Sequence, residues 1–157
     1  MADNKLQKQF RREVQNLQAQ MQEKANGVDI VVGTEDKPIV SNSELVPIKH
    51  HFMDGVYVRE MHMKKGSAVV GAIHKHLHMC FLLTGRITVV NEHDTIDHIA
   101  PSFIVSTPGV KRVLYAHEDS MWFISHKNST KTVDIKQLEK DIVAITYEEY
   151  EEYIKNK

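Results

Sequence analysis

The chain has 157 residues, 41% hydrophobic and 26% charged, the balance of a globular domain large enough for a true core. A formal net charge of -1 sets up no field of one sign, which speaks against nucleic-acid and membrane-surface partners. The single cysteine, Cys80, excludes an internal disulfide and a cysteine-only metal site and fits a reducing cytoplasm.

The opening MADNKLQKQFRR is polar and unlike a secretory leader, and no apolar run approaches the roughly 20 residues that span a bilayer. Residues 4–25 lack Gly and Pro and are rich in helix formers. Leu6, Phe10, Val14, Leu17 and Met21 fall on one helical stripe, and Asn26-Gly27 is a stop signal. Such an arm, residues 1–27, either packs on the domain or meets its copies in a short coiled coil.

From residue 28 the pattern becomes that of strands, expected over 29–32, 38–40, 56–63, 68–73, 80–90, 95–99, 103–106, 110–116 and 121–125. Turn signals such as Asp54-Gly55, Lys64-Lys65-Gly66, Asn91–Asp94 and Pro108-Gly109 separate them. Many short strands with close turns predict an antiparallel sandwich or barrel over 28–130 rather than βαβ units. Residues 131–157 read as a helical tail. There Ile135, Leu138 and Ile142 share a face, and Thr146-Tyr147-Glu148-Glu149 is a capping box.

The ten histidines carry the functional signal. In His74-Lys75-His76-Leu77-His78 they recur at every second residue, so on a strand all three share one face. Crowded imidazoles favour the neutral form, which is the form that ligates Zn, Fe, Ni or Cu. The plain alternative is a wet edge-strand face. The apolar run 80–83 beside the histidines favours burial, and buried polar groups need partners.

The segment resembles the first cupin motif, G-x5-H-x-H-x3,4-E-x6-G. Counted from Gly66, the motif's histidines fall at 72 and 74, its glutamate at 78 and its closing glycine at 85. The chain has Ala72, His74, His78 and Gly85 there, so one histidine is lost and the carboxylate is replaced by an imidazole. Thr107-Pro108-Gly109-Val110-Lys111-Arg112 is a remnant of the second motif, with Arg112 where a histidine ligand would stand. The HKH…GR, PGxKR and EDSxW segments also look like small cupin-like proteins of tailed bacteriophages.

The resemblance implies a cupin-like antiparallel barrel, a double-stranded β-helix or jelly roll, with terminal helices. It also implies a divalent transition metal, Zn, Fe, Ni or Mn, with His74, His78, His76 and His126 as candidate ligands. Arg112, His76 and Glu60 are candidate ligand-binding residues, because a guanidinium suits a phosphate or carboxylate. The expected function is binding of a metal, a small anion or both. The alternatives are a metal-dependent isomerase, lyase or oxygenase, and an assembly protein with a vestigial pocket. Protection of barrel edges predicts a homo-oligomer, dimer or trimer. A cytoplasmic location is expected, the host cytoplasm if a phage encodes the chain.

Overall fold

The computed structural model of the chain describes residues 5–28, 30–32 and 44–157. Helix α1 (Lys5–Glu23) precedes ten strands, nine of which build the two main sheets. These are β1 (Ile48–Met53), β2 (Val56–Met63), β3 (Ala68–Val70), β4 (Ile73–His74), β5 (His78–Thr84), β6 (Arg86–Val90), β7 (Thr95–Ile99), β8 (Ser102–Ser106), β9 (Val113–Ala116) and β10 (Ser120–Lys127). Then follow α2 (Ile135–Ile142), β11 (Val143–Ala144) and α3 (Tyr147–Lys155).

A five-stranded sheet runs β1-β2-β10-β5-β8 and a four-stranded sheet runs β3-β9-β6-β7, with every pairing antiparallel. Strands distant in sequence lie side by side in both sheets, which is jelly-roll topology. The fold is mostly antiparallel β with helices at both ends, as the strand pattern predicts.

Alternation along β2, β5, β6 and β10 sends Met61, Met63, Leu82, Ile87, Val89 and Trp122 into one core between the sheets. The opposite face of the five-stranded sheet is also apolar. Cross-strand partners Phe103, Phe81 and Phe123 form one row and Val105 and Met79 another, with Phe103 64% exposed.

Several boundaries differ from expectation. The strand β1 was absent from the sequence reading, because Ile48-Lys49-His50-His51-Phe52-Met53 alternates half-buried with exposed on a largely polar background. Residues 30–32 form no strand, and the strand expected at 38–40 lies outside the described residues. The stretch 68–73 divides at Gly71-Ala72, and 80–90 divides at Gly85. Gly85 has φ 83°, and a Cβ there would meet the Asp119 carbonyl oxygen at 2.5 Å, so only glycine turns that corner.

Helix α1 lies against the barrel. Arg11 pairs with Glu92 at 2.9 Å and its guanidinium sits 4.3 Å from the Tyr147 ring centroid, while Val14 is buried. The segment 131–157 is woven into the fold: β11 pairs with β4, and Leu138 and Ile142 pack on Tyr57. Asp134 and Thr146 cap α2 and α3, with the Thr146 hydroxyl accepting from the Glu149 amide at 3.1 Å.

Candidate functional site

The three histidines at 74, 76 and 78 do not share a strand, contrary to expectation. His74 ends β4, His78 opens β5, and residues 75–77 bend between them. The bend brings His74 and His78 together, with ring centroids 4.0 Å apart, and turns His76 away. The His76 Nε2–H donates to the Asp141 carbonyl at 3.0 Å, and its ring meets Tyr153 edge-on. The place expected for His76 is taken by His126 near the end of β10, 5.0 Å from both other rings.

His78 and His126 are buried, and one nitrogen on each of the three rings (His74 Nδ1, His78 Nε2 and His126 Nε2) has no partner. The His78 Nδ1–H donates to the His76 carbonyl at 3.0 Å, which leaves Nε2 as the lone-pair nitrogen. That outer hydrogen bond is the usual way a ligating imidazole is oriented. Burial lowers the pKa of all three, and His78 falls to about 4. For His74 the neighbouring imidazoles add to burial; the Arg59 guanidinium acts in the same direction on all three. The cluster is therefore neutral at physiological pH.

Arg59 escapes sequence reading, because a lone cation in a strand reads as a surface group. It lies on the inward face of β2 and pairs with Glu139 of α2 at 2.8 Å, both nearly buried. Its Nε donates to the Tyr57 hydroxyl at 3.2 Å, which in turn meets His50 Nδ1 at 2.8 Å. The Tyr57 ring stacks on His126 at 5.9 Å. Thus α2 reaches the histidines through one ion pair and one aromatic ring.

Glu60 lies on the opposite face of β2 from Arg59, so it does not reach the pocket expected of it. There its carboxylate is clamped by His51 at 2.6 Å, Lys49 at 3.1 Å and His62. Those hydrogen bonds, His62 first, hold its pKa down to about 2. Arg112 does turn inward. The residue is 9% exposed, and NH1 donates to the buried Ser106 hydroxyl at 2.5 Å.

Lys111 is buried as well. Alternation over 110–116 would put it on the face opposite Arg112, yet it is 2% exposed, because β9 begins only at Val113 and the preceding residues do not alternate. Its ammonium reaches the Ile145 carbonyl at 3.4 Å, and burial lowers its pKa to about 8. Cys80, beside this region, is buried, and its thiol pKa is pushed up to about 12, so it is no nucleophile.

No family model matches the chain, and no curated protein does. Solved structures do. A cupin 2 conserved barrel domain protein from Salinispora arenicola is 13% identical, with a TM-score of 0.49 over 72% of this chain and 98% of that one. An RmlC-like cupin family protein with a double-stranded β-helix fold from Methanocaldococcus jannaschii is 10% identical, TM-score 0.47, covering 59% and 89%. A cupin-2 domain containing protein from Shewanella frigidimarina is 13% identical, TM-score 0.45, covering 52% and 79%. In overall fold the chain is similar to these cupin-type barrels. At such identities the likeness bears on no activity or ligand.

The residues present fit a metal in chemistry more than in arrangement. Three neutral imidazoles with partnerless nitrogens are a suitable donor set for a divalent transition ion. Among the described residues, however, no three His, Cys, Asp or Glu side chains are gathered closely enough to hold an ion as they stand. No described helix is long and apolar enough to cross a membrane.

Proposed function

We propose that the protein is a cupin-like binding protein whose buried pocket, formed by His74, His78 and His126, takes a divalent transition metal, with a small anionic ligand beside it. One observation carries the reading: three buried neutral imidazoles within 5.0 Å, each with a nitrogen that nothing in the fold satisfies. Buried polar atoms without partners are costly in a finished core, and a ligand removes that cost. The metal would supply Lewis acidity; the chain supplies the tautomer, through His78 and the His76 carbonyl, and the dry wall, through Tyr57.

The motif histidine lost at Ala72 and the arginine at position 112, where a further ligand would stand, favour binding over catalysis. His76 stands as a neighbour of the pocket through the His78 hydrogen bond, and Glu60 lies on the far face of β2, covered by its three partners.

Elemental analysis of untagged protein tests the metal. The expected result is close to one equivalent of a transition metal, lost in both His78→Ala and His126→Ala but kept in His76→Ala. Less than about a tenth of an equivalent, unchanged by reconstitution with excess ion, overturns it.

The likeness of the HKH…GR, PGxKR and EDSxW segments to tailed-phage proteins supports a phage origin. The proposed quaternary state is a homodimer. Helix α1 touches its own barrel through Arg11 and Val14, whereas the apolar rows on the five-stranded sheet, Phe103 and Val105 foremost, are uncovered, and contiguous exposed apolar surface of this kind marks an interface.

A further inference from the structure

The strands β7 and β8 are each the edge of their own sheet and do not pair. Where they part, a cleft of about 190 Å³ enters the barrel. Asn91, His98 and Thr107 stand on its polar side, Ile104 and Val110 on its apolar side, and Arg112 also lines it. The Arg112 charge also acts through space on Cys80, His74 and His78.

Arg112 is a buried cation short of a counter-charge. Its hydrogen bond to Ser106 is to a neutral hydroxyl, and its Nε is buried with no partner. Among the described residues it forms no ion pair; Asp94, at the cleft, acts on it only through space. Arg59, the other inward guanidinium, shows the contrast, because Glu139 neutralises it. Removing a guanidinium from water without compensation is unfavourable, and a guanidinium fork matches the two oxygens of a carboxylate.

We infer that the β7–β8 cleft is the binding site for a small aliphatic carboxylate, its head on Arg112 and its body against Ile104 and Val110. The inference deepens the anionic-ligand part of the proposed function and rests on it. Size and lining set the class. The cleft is smaller than the roughly 300 Å³ at which sites for larger organic ligands begin, and a bare inorganic anion would leave its apolar wall uncovered. His98 at the rim is only partly buried and offers a second polar contact for the carboxylate or an α-substituent.

The test is a calorimetric titration of EDTA-treated full-length protein with isobutyrate and, separately, with inorganic phosphate. Saturable isobutyrate binding is expected, weakened about tenfold or more by Arg112→Lys, which keeps the charge and loses the fork, and by Ile104→Asp at the apolar wall. Thermal unfolding of Arg112→Met covers the case of a variant that does not bind because it does not fold. With no ligand present that variant should melt above the parent, since an uncompensated buried charge is gone.

No saturable isobutyrate binding, binding indifferent to Arg112→Lys, or phosphate bound more tightly than isobutyrate overturns the inference. So does binding that appears only after metal is restored, which would place the carboxylate on the metal. Failure of the metal assay with carboxylate binding retained would overturn the metal reading alone.

Discussion

Replacing Lys111 by methionine should make the protein more stable at neutral pH. The side chains are of similar length, and the position is 2% exposed, so Met fills the same space. What changes is the charge. Burial lowers the ammonium pKa from 10.5 to about 8, and the one polar contact is a long 3.4 Å bond to the Ile145 carbonyl. At about 1.4 kcal/mol per pH unit, the native state bears roughly 3 kcal/mol of penalty for holding this charge at pH 7.

The sign follows from linkage. Between pH 8 and 10.5 the unfolded chain binds more protons at this residue than the native one, so parent stability rises across that window. Below pH 8 the penalty is fully present; above 10.5 it is gone. Urea unfolding of Lys111→Met and parent at about pH 7 and again near pH 10.5 isolates the effect, because other titrations cancel in the difference. The expected gain is about 2 to 3 kcal/mol at the lower pH, falling towards zero at the higher. A variant that is destabilised at neutral pH, or a difference that does not move with pH, would refute the reasoning and mean that the ammonium is well paired.

Gly85→Ala should lose at least about 2 kcal/mol in the same assay, since its positive φ and the Asp119 carbonyl both oppose a Cβ; a loss below about half that value would show the corner can relax. Glu139→Gln, which leaves Arg59 charged and buried, should cost about 3 kcal/mol or more in urea unfolding, and Arg59→Met with Glu139→Leu together should restore much of it. Phe103→Lys should convert the proposed homodimer to a monomer by light scattering, whereas truncating α1 should leave the dimer in place. A mass unaffected by Phe103→Lys counts against the outer face.

The barrel was legible because alternation and turn chemistry agree over most of it. Val56–Met63 buries Tyr57, Met61 and Met63, and the capping box at Thr146 forms as its spacing requires. What escaped reading depends on phase or on distant partners. The histidines at 74, 76 and 78 look like one strand face only if no bend intervenes, and nothing local in Lys75-His76-Leu77 announces that bend. Lys111 and Arg112 are both buried because the residues leading into β9 do not alternate. Arg59 is legible as an interior residue only once Glu139, eighty residues away, is known to meet it.

The pairing of β11 with β4 ties the pocket to a part of the chain made long after it. His74 sits opposite Val143 in that two-stranded ribbon, and the Lys75 amide donates to the Ile142 carbonyl at 2.8 Å. While the chain is being synthesised, the core between the two large sheets has all its strands before residue 143 exists, but the strand bearing His74 still lacks its neighbour. Ordering of the histidine cluster is therefore a closing step, after collapse of the barrel. A chain that ends before β11 would leave His74 without its strand partner.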